Sequence, residues 1–380
     1  MHAIVIGGGY MSLPPLFGQI SVEQNWAMGD LQRAWSYVPL GSALVAVLTG
    51  VWLRKNGDRY LLLVAGTVSV VGLFLRATSP SLLQFSFALL LFGIGTGSML
   101  VILTNRVSRN FEDRHAGLAQ ALFFGSYTTG AAVGLVSAEF LSHLLSGWRD
   151  VFLFWSALSV LALLPALLTS CEPTISDEAE TSARSFSDWL RQVFPYAIVY
   201  GCYVGGYLGV VGLLPHQLRQ WGWTAIAADG ALAGSTFAFV AGAAFWATLT
   251  DKIGYRRIAF AAGMAGCTIL VMITLSSAPS GLGFVASSSI IMIGFFGGVM
   301  ALFFPILLDG IETGGVNASK SIGTTTAASY LGGFLLPFFA APYSETNPKT
   351  SMAIFGLSFG AAGLIMVASG IRSRRASTII

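Results

Sequence analysis

Apolar positions in this chain form long, unbroken runs separated by short polar turns. Twelve such runs fall at 1–20, 36–53, 60–77, 82–104, 117–143, 150–169, 192–214, 230–249, 258–276, 282–306, 320–341 and 351–371. A helix needs about 20 apolar residues to cross the hydrocarbon core of a bilayer, and these runs have that length. They are continuously apolar rather than alternating, which excludes barrel strands, and lipid satisfies no open sheet edge. The runs divide six and six about the polar stretch 170–190, which is acidic, lacks apolar periodicity and reads as a surface linker. The pattern therefore predicts an all-α membrane protein of two six-helix bundles, 1–169 and 191–380, joined by that linker.

Composition agrees: 54% of residues are hydrophobic and 10% charged, whereas soluble domains carry about 25% charge. Lys and Arg fix the expected orientation. Of the 20, fifteen fall in one set of connections and termini, including Arg54, Lys55, Arg59, Arg106, Lys252, Arg256 and Arg257, and five in the opposite set: Arg33, Arg76, Arg149, Arg219 and Lys349. That bias places the first set and both termini in the cytoplasm of a cell-membrane protein. It also accounts for the net charge of +3 without a nucleic-acid partner. The start Met1-His2-Ala3-Ile4 shows no basic region or small-residue cleavage site, so no removed leader is expected. Cys171, Cys202 and Cys267 have no metal or redox spacing, and four scattered histidines supply no cofactor, metal or catalytic cluster. An enzyme is not expected.

Two charged turns answer each other across the halves. Gly50-Val-Trp-Leu-Arg54-Lys55-Asn56-Gly57-Asp58-Arg59 follows the second run, and Asp251-Lys252-Ile253-Gly254-Tyr255-Arg256-Arg257 follows the eighth. Ala116-Gly117-Leu118-Ala119 opens the fifth run, which continues through Gly125, Gly130 and Gly134 to Gly147-Trp148-Arg149-Asp150-Val151-Phe152. Together with the six-plus-six division, these features resemble the major facilitator superfamily over essentially the whole chain. Its turn pattern, Gly-x-x-x-Asp-Arg-x-Gly-Arg-Arg, is well kept in the second copy. The first copy places Arg54 where the acid belongs and Asp58 where a base belongs. The resemblance implies two bundles related by a pseudo-two-fold axis and a substrate path between them, lined by the first, fourth, seventh and tenth helices. The basic turns fix topology. They are also expected to form a conformational latch of Arg54, Asp58, Arg59, Asp251, Lys252, Arg256 and Arg257, with Asp251 its intact acid.

Tyr196, Tyr200, Tyr203 and Tyr207 form one stripe on the seventh run, opposite Gly201, Gly205, Gly209 and Gly212. Hydroxyls facing lipid at mid-depth would be stranded, so Tyr200 and Tyr203 are expected at the substrate path. Tyr196 and Tyr207 suit that path and the interfacial belts equally, and Tyr207 is counted with the path, as is Tyr10 of the first run. Glu139 is the one acid clearly inside a run, with His143 four residues on. The pair can carry a proton, although its shallow depth favours a structural role. Proton-coupled relatives often carry an Arg four residues before a Gly-x-Gly in helix four, where this chain has Leu89. The expectation is a monomeric secondary active transporter, working by alternating access on a small organic solute, with an organic anion as one candidate and a proton as the candidate coupling ion. The alternative is an efflux pump for amphipathic compounds, which the absence of Pro from Gly130-Ala-Ala-Val-Gly134 weighs against.

Overall fold

The computed structural model describes residues 1–56, 58–110, 113–168, 186–310 and 315–377. Among them there are helices and no strands, and the helices fall into twelve successive spans. The first, α1, is assembled from His2–Gly8, Gly9–Met11, Pro14–Leu16 and Phe17–Gln24. In the first half, α2 is Met28–Asn56, α3 Asp58–Thr78, α4 Leu82–Asn110, α5 Asp113–Leu145 and α6 Trp148–Leu168. In the second, α7 is Phe186–Gln220, α8 Ala225–Ile253 and α9 Arg256–Ser277. The tenth, α10, joins Gly283–Gly297, Gly298–Leu302 and Phe303–Gly310, and α11 and α12 are Gly315–Thr346 and Pro348–Ser377. Each span overlaps one run read from the sequence. The helix α7 begins at Phe186, inside the stretch read as linker, and 170–185 lie outside the described residues.

Helix pairing repeats with a shift of six. In the first half α1 packs on α5 and α6, α2 on α4, and α3 on α4 and α6. In the second α7 packs on α11 and α12, α8 on α10, and α9 on α10 and α12. The halves meet where α2 lies along α11, α5 along α8 and α1 against α7. This two-fold pattern is the all-α membrane fold expected from the sequence. Phe74, Phe87, Phe140, Leu161, Phe245 and Leu364 are exposed on the outside, apolar surface that water would penalise and lipid accepts.

Close approach explains the glycine run of α4. A Cβ at Gly93 would lie 2.0 Å from the Val38 carbonyl of α2, and one at Gly95 would lie 2.3 Å from Ser69 of α3. Gly254 ends α8 with φ of 75°, a left-handed position that favours glycine and lets α9 begin two residues later. The end of α2 at Asn56 and the turn from α8 to α9 at 253–256 lie at one end of the bundle, here the basic end, and the opposite end is the far end.

Two spans are irregular, one in each half. Pro14 has no N–H for the Tyr10 carbonyl, which accepts instead from Leu13 N at 3.3 Å. The Gly9 carbonyl is thereby released to the side chains around it. In α10, Pro305 leaves the Ala301 carbonyl without its helical donor, and the backbone tightens to a 3₁₀ segment over Gly298–Leu302.

Candidate functional site

Breaks in spanning helices mark places where backbone and side-chain polarity face protein or an internal path rather than lipid. The break in α1 lies at the meeting of the halves. Tyr10 stacks on Trp35 of α2 with ring centroids 4.0 Å apart, and Phe17 meets the same indole edge-on at 6.2 Å. The Tyr10 hydroxyl and the Trp35 Nε1 are buried without hydrogen-bond partners. Trp35 reaches the other half, since a Cβ at Gly212 of α7 would lie 3.1 Å from Nε1. The Tyr10 hydroxyl lies in Coulombic range of Tyr127 of α5, Tyr207 of α7 and Tyr330 of α11. Tyrosines from both halves thus gather at the seam.

The α7 stripe separates into distinct environments. Tyr207 belongs to this seam cluster, and Tyr200 packs on Phe303 and Phe304 of α10 at 4.7 and 5.7 Å and lies in Coulombic range of Tyr330. Tyr203 adjoins both: its ring stacks on Tyr207 at 6.3 Å and packs on Phe359 of α12 at 5.8 Å, and it lies in Coulombic range of Tyr127 of α5 as well as of Tyr200. Tyr196 accepts from Arg257 Nη2 at 3.0 Å near the basic end. The glycines behave as expected at Gly201 and Gly205, which face α11.

One of the bases counted with the outer connections, Arg76, is fully buried in the bundle. Arg76, in the last turn of α3, has 0% exposure. It donates through Nη2 to the freed Gly9 carbonyl at 2.8 Å, and its guanidinium lies 3.9 Å from the Phe152 ring centroid of α6. Its Nε and Nη1 have no partner. Leu89 is buried in α4 and brings no charge there.

The charged turns tie helices within their own halves. Asp58, at the start of α3, accepts from Arg106 Nε at 2.8 Å and Nη2 at 3.2 Å, a two-pronged pair of low exposure. Arg256 bridges Asp251 of α8 at 3.2 Å and Asp309 of α10 at 3.1 Å, both carboxylates being largely exposed. Asp251 was expected to be the intact acid, yet the more buried pair belongs to Asp58. Arg59 is half-buried and Lys252 exposed, and the side chains of Arg54 and Lys55 lie outside the described residues.

At the far end the acid read from the sequence finds a different partner. Glu139 Oε2 lies 2.9 Å from Arg219 Nη2 of α7, while His143 is 3.7 Å away and mostly exposed. Arg219 also pairs with Asp229 of α8 at 2.6 Å and donates to the Pro15 carbonyl of α1. Glu345 of α11 accepts from the Gly29 backbone N–H at the start of α2 at 2.8 Å, a carboxylate placed at the positive end of a helix. Tyr37 of α2 packs on Phe334 and Phe338 of α11 nearby. These contacts across the seam hold the far end together. Trp35, Tyr127, Tyr330, Arg76, Arg219 and Asp229 were not read as site residues; none belongs to a periodic stripe in its own span, and their meeting is visible only once the helices are assembled.

The model of the Major Facilitator Superfamily matches residues 2–319. Protein TsgA of Escherichia coli O157:H7 is 22% identical over 348 residues, 89% of this chain and 84% of its own length. The uncharacterized transporter YycB of Bacillus subtilis (strain 168) is 21% identical over 248 residues, 65% of this chain, and the match spans 61% of that relative's length. A crystal structure of a mutant of the nucleoside transporter NupG superposes with a TM-score of 0.74 at 14% identity, covering 97% of this chain and 98% of that one. The chain belongs to the major facilitator superfamily of membrane transporters.

Proposed function

We propose that this chain is a secondary active transporter that moves a small organic solute by alternating access, with residues 1–169 and 191–380 as the two moving bundles and 170–190 as their linker. The observation that carries the reading is the tyrosine cluster at the seam. Tyr10, Tyr127, Tyr207 and Tyr330 come from both halves, so rocking of the halves makes and breaks the site they form. Hydroxyls beside aromatic faces suit a solute with a flat or apolar body and a few polar groups, which can shed its water against rings and exchange hydrogen bonds with phenols. The positive-inside bias supports a cytoplasmic basic end and cytoplasmic termini, and on that orientation the far-end contacts between the halves close the path on the outer side. The direction is uptake, any coupling proton is taken up at the far-end charged group that includes Glu139, and the unit is a monomer in the cell membrane.

The aromatic, sparsely charged seam also favours a second reading, export of amphipathic compounds. One experiment separates them. A thermal-shift screen of the purified protein against organic acids, nucleosides, sugars, amino acids and cationic amphiphiles ranks ligand classes, because a ligand at 100 times its Kd adds about 2.7 kcal/mol to the folded state. The best class is then loaded into reconstituted vesicles. Flux without chemical change, weakened at least tenfold by Tyr207→Ala, is the expected result. Conversion of the solute, or no flux for any class that stabilises the protein, overturns the proposal.

A further inference from the structure

Arg219 stands between two carboxylates that belong to different halves. Its Nη2 donates to Asp229 Oδ2 at 2.6 Å and lies 2.9 Å from Glu139 Oε2, and it donates through Nη1 to the Pro15 carbonyl. Asp229 and Arg219 are both in the second half, on α8 and α7, whereas Glu139 and Pro15 are in the first, on α5 and α1. The Asp229 side chain is only 3% exposed and Glu139 is 22% exposed. Asp229 Oδ1, Glu139 Oε2 and Arg219 Nε are buried without hydrogen-bond partners.

Charge counting across the seam gives this arrangement a direction. When the far end opens, Glu139 departs with its half and leaves Arg219 paired with Asp229, a neutral couple. When the far end closes, a second carboxylate enters a confined space holding one guanidinium, and the triad carries one negative charge in excess. Burying that charge is costly, and two carboxylates that share one counter-charge are relieved when one of them takes a proton. We infer that the Glu139–Arg219–Asp229 triad is a proton-binding outer gate: closing the far end takes up one proton, and opening it releases one. Of the two carboxylates with an unpartnered oxygen, Asp229 is the less exposed, at 3% against 22%, and its Oδ1 is the position at which the proton sits.

The other charged and titratable groups at this end do not balance the excess. On α5, His143 is 3.7 Å from Glu139 but 76% exposed. On α7, His216 lies within Coulombic range of Arg219, beside Gly18 of α1, and contacts Gln220 at 3.0 Å. On α1, Glu23 is engaged by Trp148 and Arg149 of α6. On α2, Asp30 and Arg33 pair with each other at 3.0 Å, and Glu345 of α11 is spent on the Gly29 N–H. By linkage the sign is fixed: protonation stabilises the closed far end, so acid favours closure and alkali favours opening.

This inference rests on the alternating-access reading, and its test needs no cargo. In protein with Cys171, Cys202 and Cys267 replaced by Ser, a reporter Tyr37→Cys sits behind Phe334 and Phe338 at the seam, and Ser280→Cys is an exposed control at the far end. Reconstituted protein is labelled from outside with a membrane-impermeant maleimide over a pH series, and the reporter rate is divided by the control rate. The ratio is expected to rise with pH by up to about tenfold per unit, the limit for one linked proton. Asp229→Asn and, independently, Glu139→Gln are expected to flatten it, while His143→Gln and His216→Gln keep it. A flat ratio in the parent, retained dependence in both carboxylate variants, or its loss in either histidine variant overturns the inference. A pH-insensitive gate in a protein that still carries solute overturns this inference alone. A pH-controlled gate in a protein that carries no solute overturns the transport reading alone.

Discussion

Asp58 and Asp251 sit at matching turns of the two halves, but their surroundings set very different energies. Asp58 is held by both nitrogens of Arg106 with its side chain 11% exposed, whereas Asp251 is 67% exposed and shares Arg256 with Asp309. A charge-assisted, partly buried pair contributes about 1.5–3 kcal/mol, and an exposed pair about 0–1 kcal/mol. Asp58→Asn is therefore expected to lower the thermal unfolding midpoint in detergent clearly more than Asp251→Asn. Equal midpoints in matched preparations would contradict it. The sequence reading took Asp251 as the intact acid, because it matched each turn to a pattern and could not see Arg106 of α4. The tyrosines show the same limit. Spacing put Tyr196, Tyr200, Tyr203 and Tyr207 on one stripe, yet a stripe about a hundred degrees wide spans more than one environment, and Tyr196 pairs with Arg257 near the basic end while Tyr203 and Tyr207 stack on each other at the seam. Tyr127 and Tyr330 lie in spans with no tyrosine stripe, so no periodicity marked them.

At the scale of single helices, the break in α1 organises its surroundings. Gly7 and Gly8 allow the chain to touch α5 and α6: a Cβ at Gly8 would lie 2.2 Å from the Trp155 ring. The break then leaves the Gly9 carbonyl to Arg76 of α3, and the Pro15 carbonyl accepts from Arg219 of α7. The sequence placed Arg76 in an outer loop because it lies in the last turn of α3. Side chains on a helix lean toward its N-terminus, so a long residue in that turn reaches back into the bundle. The twelve spans were legible because hydropathy is a sum over 20 residues; the direction of one side chain is not such a sum. Arg76 lacks a carboxylate partner in the described surroundings, so replacing it with Met removes a buried charge at little cost in packing. Arg76→Met is expected to match or exceed the parent in thermal stability while solute flux falls at least tenfold, as the Gly9 carbonyl loses its donor. A large loss of stability with proportionate loss of flux would instead make Arg76 a folding residue.

The whole molecule is two similar bundles whose mutual contacts, as described, are strongest in polar terms at the far end. There Glu139, Arg219 and Asp229, the Glu345 cap on α2 and the Tyr37 rings join the halves, while the pairs at Asp58 and Arg256 each stay inside one half. The division into six and six was readable from the linker and the paired turns. The seam was not, because its residues lie about 80 to more than 300 positions apart and no local pattern links them. If the halves rock as rigid bodies, fixing the seam at one point must stop the cycle without disturbing either bundle. Tyr37→Cys and Phe334→Cys lie on opposite sides of it, where the native rings are 6.0 Å apart. In a background without other cysteines, joining them with a short, cleavable thiol-reactive linker is expected to abolish solute flux in vesicles, and cleaving the linker is expected to restore it. Ligand stabilisation in the thermal-shift assay should survive the cross-link, because the tyrosine cluster itself is left whole. Full flux through quantitatively cross-linked protein would show that the halves do not part at this end, and alternating access about this seam would fall.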